Sequence, residues 1–600
     1  MRAYCLIQLL NGAKIDLLYK QRRIILEIED SAKSAMLYGS VEARQANLDE
    51  QFPAWTPTTL HGALDKAAAE FCDSPYIITD SGTWSYRDVV DWSLELAGGL
   101  KALGIKPGDK IALIFANYPE FVALKFAISR LGAVAVPINI LNRRDELTYL
   151  LNQSDTSVLV TMDRFRDIDY LQILDEVAPG WEQSGGGANL PRLRQIIVFE
   201  TGIGLARNGV TRFQSLMDCG RFDCLSVDAT AVCDIIYTSG TTGPPKGVLL
   251  THDMLTRTAF GSAYSRAFGI GHSIVFSLPM FHVFGYVEGM LSVLWVGGAI
   301  IPQLKFDPNI TLEAIERHKG QDALLIPTMT LAVLEAAKAD SYNLSSFHFC
   351  LASGARAPER IWQEIHDVLG VNEITTGYGM TETTASAVVT KPTDPISRLL
   401  TTNGGHRVVG AAGLGLPDGK LVSYRVIDRE TGEELGTGEM GELVAKGAGV
   451  TAGYYNKPVE TKAAFTQDGW LHTGDLGMID DDGYITLLGR SKESYRCGGE
   501  LVMPTEVEDV LTERADVLQA HVVPIQDEKM GDVGVAFVVP KSGATLSNEG
   551  LHKMLMQRLA RYKVPRHIIL VSESDIPTTA SGRARKFMLS QLAEKMIGSV

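Results

Sequence analysis

The chain has 600 residues, of which 45% are hydrophobic and 21% charged, a composition typical of a globular protein with two or more domains. Its net charge of −15 argues against a broad nucleic-acid-binding surface, because neutralising phosphates needs clustered Lys and Arg. The seven cysteines are too scattered for a disulfide framework, and no apolar run reaches the ~20 residues of a membrane span. We therefore expect a cytoplasmic protein with reduced thiols.

Residues 1–50 match no pattern that we recognise and are predicted to be an N-terminal extension of unknown role. They are either a helical addition or a product of start-site choice, with Met36 as the true first residue. Beyond them, helix-period and strand-like segments alternate, as in KIALIFA, PEFVALKFAISRLG and AVAVPIN. This alternation predicts an α/β fold with helix-covered, mostly parallel sheets. The glycine-rich stretch 178–191 is predicted to be a polar surface connector.

The run YTSGTTGPPKG at 237–247 follows the apolar, strand-like run AVCDIIY. Its glycines let the backbone approach a ligand, and its consecutive N–H groups can form an anion-binding nest. The hydroxyls can donate to phosphate oxygens, and Lys246 adds a positive charge. It is not a Walker A loop, because Pro245 stands where that motif needs glycine. A Gly/Pro-rich surface turn is the alternative. The predicted phosphate-binding residues are Lys246 with Thr238, Ser239, Gly240, Thr241, Thr242 and Gly243.

Near 435–490 the pattern changes to short strands with turn signals, including Asp482-Gly483 between two alternating runs. A polar joint follows at 490–493, and the rest reads as a separate small α+β domain. We predict an N-terminal extension at 1–50, a large domain at 51–489 and a small domain at 490–600. The large domain has helix-covered, mostly parallel sheets and a distorted β subdomain, and the small α+β domain is mobile.

The loop at 237–247 resembles the phosphate-binding loop of the adenylate-forming superfamily, which includes acyl-CoA synthetases, luciferases and the adenylation domains of peptide synthetases. The resemblance to acyl-CoA synthetases, such as medium-chain fatty acid–CoA and 4-coumarate–CoA ligases, covers most of the chain after the extension. It is carried by further motifs in the family's order: LPMFHVFG at 278–285, ASGARAP at 352–358, GYGMTETT at 377–384, GWLHTGDLG at 469–477, LLGRSKE at 487–493 and YRCGGELVMPTEVE at 495–508.

The resemblance implies roles for residues of the large domain. It places His282 at the acid pocket, where the alternative is a satisfied core histidine. Thr381 would meet the α-phosphate and Glu382 would help hold Mg²⁺, a hard cation that takes one or two carboxylates plus phosphate oxygens. A helix cap is the alternative for this pair. The residues implied at the adenine are Gly354, Ala355, Tyr378 and Gly379.

Other implied roles lie near the domain joint. Asp475 would accept hydrogen bonds from both ribose hydroxyls, since its two oxygens suit a vicinal diol. Arg490 would make a second contact to ribose and phosphate. Lys492 falls at the hinge position, although a surface charge explains it equally well. Gly498 and Gly499 would line the pantetheine tunnel of coenzyme A.

The last motif departs from the family. The relatives carry a catalytic lysine in a Pro-x-Thr-x-x-Gly-Lys pattern, whereas this chain has PTTASGR at 577–583. Arg583 thus replaces the lysine that bridges the substrate carboxylate and the α-phosphate. Arginine keeps the charge, but its forked head is bulkier and the exchange is not conservative at a tight site. Lys586 is the alternative cation.

The resemblance implies a two-step ligase. A carboxylate attacks the α-phosphate of MgATP to give an acyl-adenylate, the small domain turns about the hinge, and the thiol of CoA then displaces AMP. Mostly apolar segments around 281–289 and 325–333 favour a monocarboxylic acid, with a medium-chain fatty acid first. We expect a monomer or homodimer. The alternatives are ligation to a separate carrier protein, a luciferase-like oxygenase, and a nucleotide-binding relative impaired in adenylation. The implied catalytic set is Lys246, His282, Thr381, Glu382 and Arg583.

Overall fold

The computed structural model describes residues 38–202, 207–238, 244–353, 359–413, 419–527, 529–579 and 584–597. Its strands, numbered in chain order, are β1 Pro75–Thr79, β2 Gly82–Ser85, β3 Lys110–Ile114, β4 Val134–Pro137, β5 Thr156–Met162, β6 Arg164–Phe165, β7 Ile168–Asp169, β8 Gln195–Phe199, β9 Thr211–Arg212, β10 Val232–Thr238, β11 Lys246–Thr251, β12 Ser273–Phe276, β13 Ala299–Pro302, β14 Asp322–Leu325, β15 Phe349–Ala352, β16 Glu373–Thr375, β17 Gly377–Met380, β18 Ala385–Val389, β19 Gly405–His406, β20 Val422–Ile427, β21 Gly441–Gly447, β22 Leu471–Ile479, β23 Ile485–Arg490, β24 Tyr495–Cys497, β25 Glu500–Val502, β26 Val517–Asp527, β27 Gly531–Pro540 and β28 His567–Leu570.

The helices fall mainly between these strands. The α-helices are Val41–Gln51, Leu60–Phe71, Tyr86–Ala102, Pro119–Arg130, Arg144–Gln153, Tyr170–Val177, Trp181–Ser184, His252–Ser265, Pro308–His318, Pro327–Ala339, Glu359–Leu369, Ile396–Thr401, Pro458–Ala463, Pro504–Thr512, Asn548–Arg558 and Lys586–Ile597. A π-helix covers Phe284–Leu291, and short 3₁₀ helices cover Phe213–Cys219, Ser292–Val296, Thr381–Thr383, Gly410–Ala412, Arg561–Lys563 and Glu573–Asp575.

Two seven-stranded sheets form the body of the large domain, in the orders β16-β15-β14-β12-β13-β1-β2 and β11-β10-β4-β3-β5-β8-β9. Their inner strands pair in parallel, and the antiparallel pairs β1–β2 and β10–β11 lie at the edges. Strands such as β14 and β15 are buried along their whole length, as expected when helices cover both faces of a sheet. The α/β class predicted from the alternating pattern is confirmed.

A smaller antiparallel region follows, with a three-stranded sheet β17-β18-β19 and a four-stranded sheet β20-β21-β22-β23. The predicted turn at Asp482 and Gly483 connects β22 to β23, and Gly483 has a φ of 79°. Asp480 closes this turn by accepting from the backbone N–H groups of Asp482 and Tyr484. The resulting register places Asp475 opposite Arg490.

The last part of the chain has its own sheet and its own apolar core. Strands β25, β24, β27 and β26 are neighbours in that order, and β28 pairs with β27 in parallel. Helices Pro504–Thr512 and Lys586–Ile597 pack against β26. The buried apolar side chains from Tyr495 to Ala593 form one cluster, separate from the core of the large domain.

Two segments pack more closely than their sequences indicate. The stretch 178–191 is not a simple surface connector, because Trp181 and Leu190 are buried and a side chain on Gly186 would lie 2.2 Å from the Leu190 carbonyl oxygen. Near the start of the described chain, Arg44 Nη2 lies 2.6 Å from Glu373 Oε2 at the edge of the first sheet. The helix Val41–Gln51 therefore packs on the large domain.

In the described part of the chain, no helix is both long enough and apolar enough to cross a membrane.

Candidate active site

The hairpin β10–β11 frames the predicted phosphate-binding loop. Thr238 and Lys246 are partners at its open end, with Thr238 Oγ1 3.5 Å from the Lys246 carbonyl oxygen. The predicted residues Ser239, Gly240, Thr241, Thr242 and Gly243 lie outside the described residues, as do Gly354, Ala355 and Arg583. The described part of the site thus begins at the two residues that flank the loop.

Tyr454 connects Lys246 to Glu382. Lys246 Nζ lies 4.3 Å from the centroid of the Tyr454 ring, and the phenol donates a hydrogen bond of 3.0 Å to Glu382 Oε1. Burial and the neighbouring Glu382 raise the pKa of Tyr454, so its hydroxyl stays protonated as a donor. Tyr454 was not predicted from the sequence, where its local signal is an aromatic pair that follows a glycine, Gly453-Tyr454-Tyr455.

Thr381 and Glu382 lie in the buried 3₁₀ turn Thr381–Thr383. Burial raises the pKa of Glu382, and the Tyr454 hydroxyl and the charge of Lys246 act in the opposite direction. The next two residues, Thr384 and Ala385, have φ values of 57° and 79°. Consecutive non-glycine residues in this left-handed region are strained, and such strain clusters at functional sites. The turn is therefore held by its surroundings rather than by local preference.

Tyr378 and Arg490 approach Asp475 from two sides. Tyr378 Oη donates a hydrogen bond of 2.6 Å to Asp475 Oδ2, and Arg490 Nε lies 3.0 Å from Oδ1. Arg490 Nε is nevertheless buried without a hydrogen bond, so the pair is held by charge rather than by an aligned N–H. Burial alone would lower the pKa of Arg490, but Asp475 and other acidic groups raise it by more, so the net shift is upward. The guanidinium therefore stays charged.

Gly379 lies beside Tyr378 at an irregularity in the pairing of β17 with β18. A Cβ atom there would lie 1.8 Å from the carbonyl oxygen of Ala385, a distance that no side chain can tolerate. The close approach of the two strands therefore requires glycine at this position, whereas a contact of Gly379 with adenine stays a prediction.

His282 directly precedes the π-helix Phe284–Leu291. The backbone N–H of Phe284 donates to His282 Nδ1 at 3.3 Å, and burial lowers the pKa of the ring to about 4. The imidazole is therefore neutral near pH 7 and carries its proton on Nε2, which makes Nε2 a donor. Short π-helical segments occur often at functional sites.

The domain joint carries Lys492 on an exposed turn. The adjacent Ser491 donates its backbone N–H to the Gly474 carbonyl at 3.0 Å. Gly498 and Gly499, with φ values of 62° and 90°, form the tight turn between β24 and β25. The contacts described above form two clusters, Lys246–Tyr454–Glu382 and Arg490–Asp475–Tyr378, and the three predicted residues of the joint are in neither.

The described residues on either side of 580–583, the segment that contains Arg583, pair with each other. Thr578 and Ala584 form an antiparallel bridge, and Arg585 donates its backbone N–H to the Pro577 carbonyl at 2.7 Å. Lys586 Nζ lies 2.7 Å from Glu508 Oε1 and 3.4 Å from Glu493 Oε2. Burial alone would lower the pKa of Lys586, but the two carboxylates raise it, so the ammonium group is committed to them.

Comparison with known proteins identifies the family. The AMP-binding enzyme family matches residues 64–455, and the AMP-binding enzyme C-terminal domain matches residues 506–583. The indoleacetate–CoA ligase of Aromatoleum aromaticum (strain DSM 19018 / LMG 30748 / EbN1) is 32% identical, over 85% of this chain and 93% of the relative. The mitochondrial medium-chain acyl-CoA ligase ACSF2 of Danio rerio is 30% identical, over 86% of this chain and 84% of the relative.

The fold agrees with these matches. The crystal structure of ATP-bound MatB from Rhodopseudomonas palustris superposes with a TM-score of 0.77 at 25% identity, covering 90% of this chain and all of that one. Large N-terminal and small C-terminal domains are thus shared with enzymes of this type. The chain belongs to the AMP-binding enzymes of the adenylate-forming superfamily and is an AMP-forming acyl-CoA ligase that uses a small carboxylic acid, ATP and CoA.

Proposed function

We propose that this ligase activates an apolar monocarboxylic acid as its acyl-adenylate and transfers the acyl group to CoA, with medium-chain fatty acids as the first candidates. The observations that carry the proposal are two side-chain clusters, Lys246–Tyr454–Glu382 and Arg490–Asp475–Tyr378. They supply a cation at the phosphate loop, a buried acid and a second acid paired with arginine. These are the groups needed to hold a triphosphate, its metal ion and a ribose.

The triphosphate end of the proposed site contains Lys246, Thr381 and Glu382. Lys246 would bind phosphate oxygens as a point charge, and the Thr381 hydroxyl would donate to the α-phosphate. The carboxylate of Glu382 is a hard oxygen donor in a buried position, which fits Mg²⁺ held jointly with phosphate oxygens. When bound, Mg²⁺ would neutralise triphosphate charge that otherwise repels the attacking carboxylate.

The nucleoside end would be held by Asp475, Arg490 and Tyr378. Besides its contacts to Tyr378 and Arg490, each carboxylate oxygen of Asp475 has a further lone pair with which it could accept from a vicinal diol. Gly379 lets its strand pass close to the Ala385 carbonyl and so positions Tyr378, which would lie next to the flat base. In the small domain, Lys492 would be the hinge residue, and Gly498 and Gly499 would line the tunnel for the pantetheine arm of CoA.

The preference for a monocarboxylic acid is supported by a buried ion pair that begins on the π-helix after His282. Glu288, six residues after His282, is fully buried and accepts from Arg407 Nη1 and Nη2 at 3.0 and 3.2 Å. Ser262 Oγ and the backbone N–H of Ser386 donate to the same carboxylate. Because both charges are neutralised internally, neither is available to a second carboxylate on the substrate. Two relatives named above act, by their names, on indoleacetate and on medium-chain acids, which are largely apolar acids.

Arg583 decides whether adenylation is efficient. Lys586 is committed to Glu508 and Glu493, and this favours Arg583 as the cation that bridges substrate carboxylate and α-phosphate. The test measures pyrophosphate release with a panel of acids for the natural protein and for Arg583→Lys. Release with an apolar acid by the natural protein supports the proposal. If both proteins fail to release pyrophosphate but convert supplied acyl-adenylate and CoA to thioester, the first half-reaction is lost.

The acceptor is tested in the same preparation. Free CoA should yield a thioester once the adenylate has formed. Adenylate that forms but reacts only with a separate carrier protein would favour the carrier ligase instead.

A further inference from the structure

Tyr454 lies between two charged groups that the proposed reaction uses. Its ring faces Lys246 Nζ at 4.3 Å, and its hydroxyl donates to Glu382 Oε1 at 3.0 Å. Tyr454 is 8% exposed and Glu382 is buried, so their hydrogen bond is shielded from bulk water, and Lys246 is half-buried. A cation over an aromatic face and a hydrogen bond to a carboxylate are both stronger under such shielding. One side chain therefore fixes the position of two others.

The backbone around Tyr454 is fixed on the Lys246 side. Tyr454 forms an antiparallel bridge with Val248, and the flanking bonds run from Leu249 N–H to the Gly453 carbonyl at 3.1 Å and from Tyr455 N–H to the Gly247 carbonyl at 2.8 Å. The segment thus continues the sheet edge next to β11, the strand that begins with Lys246. This pairing fixes the backbone of Tyr454 relative to the strand that carries Lys246.

The same segment is also fixed on the Glu382 side. Thr451 donates its backbone N–H to the Glu382 carbonyl at 2.8 Å, while its hydroxyl donates to the Leu249 carbonyl at 2.7 Å. Thr451 therefore connects β11 directly to the strained 3₁₀ turn. The backbone of Tyr454 is thus held on both sides, next to the strand of Lys246 and next to the turn of Glu382.

A partly buried lysine and a buried glutamate in one site attract each other more strongly as the surroundings lose water, which favours a direct ion pair. No ion pair joins these two described residues; instead Lys246 contacts the face of the Tyr454 ring and Glu382 accepts from its hydroxyl. We propose that Tyr454 is a positioning residue that keeps Lys246 and Glu382 apart, so that Lys246 faces phosphate oxygens and Glu382 faces the metal ion. This rests on the proposed nucleotide site.

The test measures nucleotide binding by calorimetry, without acid or CoA, so that it does not depend on turnover. ATP is titrated with and without Mg²⁺ into the natural protein, Tyr454→Phe and Tyr454→Leu. The control is Tyr455→Phe, which removes the neighbouring hydroxyl that donates to Asp155 at 3.0 Å. Thermal unfolding of each variant shows whether it is folded.

Tyr454→Phe keeps the ring over Lys246 and frees Glu382. We expect MgATP to bind roughly tenfold more weakly, as for the loss of a hydrogen bond to a charged group, while metal-free ATP binds as before. Tyr454→Leu should also weaken metal-free ATP several-fold, because the cation–π contact is lost. The control should match the natural protein with both forms of the nucleotide.

A double-mutant cycle separates positioning from a structural role. If Tyr454 acts through Glu382, Tyr454→Phe should have little effect on MgATP binding in a Glu382→Gln background. Equal losses in both backgrounds, or natural MgATP affinity of Tyr454→Phe, would overturn the inference. Failure of the natural protein to bind ATP at all would instead overturn the proposed nucleotide site.

Discussion

Asp475 and Arg490 face each other across adjacent strands, with Asp475 Oδ1 3.0 Å from Arg490 Nε. The pair lies where the large domain ends, and Ser491 next to Arg490 is bonded to Gly474 next to Asp475. The proposed ribose contact and the start of the domain joint are therefore one structural unit. A change at Asp475 should affect both nucleotide affinity and the position of the joint.

Asp475→Asn should raise KM for ATP and lower kcat/KM by at least about tenfold, or ~1.4 kcal/mol. The amide loses the charge that pairs with Arg490 and accepts fewer hydrogen bonds from a diol. Steady-state kinetics at saturating acid and CoA measure this. The matched control is Asp482→Asn, which lies in the turn of the same sheet and pairs with the partly exposed Arg398. Equal kinetics for the two variants would contradict the ribose role.

Gly379→Ala should disrupt the β17–β18 pairing, because the new Cβ would overlap the Ala385 carbonyl oxygen at 1.8 Å. Overpacking of this kind costs about 1–3 kcal/mol and displaces the neighbouring Tyr378. We expect a lower unfolding temperature and a smaller stabilisation by added ATP, both measured by thermal unfolding. Gly405→Ala is the control, since its nearest atom would be at an ordinary 3.8 Å. A Gly379→Ala protein as stable as this control would refute the prediction.

Loss of Arg407 should be costly, because Glu288 would stay buried without its partner. Removing one member of such a pair typically costs about 3–5 kcal/mol. Chemical denaturation of Arg407→Met should show this loss, and the double variant with Glu288→Leu should regain much of it. Arg398→Met removes a partly exposed pair with Asp480 and should cost less than about 1 kcal/mol. Similar losses for Arg407→Met and Arg398→Met would argue against a tightly coupled buried pair.

Acid should destabilise the fold through its buried histidines. Burial lowers the pKa of His61, His282 and His406 to about 4 and that of His252 to about 3. Between the unfolded pKa of about 6.5 and these values, the unfolded chain binds more protons than the folded one. The stability contributed by neutral histidines is therefore complete above about pH 6.5 and falls as pH decreases toward 4.

Denaturant unfolding at several pH values measures this slope. His406→Gln should reduce it, because the amide oxygen can still accept the Tyr424 N–H that His406 Nε2 accepts at 2.9 Å, but cannot be protonated. A pH slope identical to that of the natural protein would show that His406 contributes nothing to acid sensitivity.

Local sequence patterns predicted the α/β class and the turn at Asp482 and Gly483. Both predictions succeeded because the alternation of helical and strand-like segments, and the residue types of a turn, can be recognised within short stretches of sequence. Tyr454 was missed because its position beside Lys246 depends on pairing with β11, which lies far away in the sequence. The buried pair of Glu288 and Arg407 was missed for the same reason.

The prediction for the stretch 178–191 was wrong because its average composition is polar although it contains a buried tryptophan. Trp181 is buried and donates its Nε1–H to Asp175 at 3.0 Å, while the following glycines allow the backbone to pack closely. A single large apolar residue thus anchored a segment whose average composition indicated a surface loop. The roles of the site residues remain predictions that the kinetic and binding experiments above address.

The most direct test of the proposed function measures all products of one reaction. The protein is incubated with MgATP, CoA and octanoate, and AMP, pyrophosphate and acyl-CoA are quantified by chromatography, with Lys246→Ala and Asp475→Ala as controls. We predict that the three products form in equal amounts and that both variants are strongly impaired. Production of ADP instead of AMP, or nucleotide binding without AMP from any apolar monocarboxylic acid, would contradict the account.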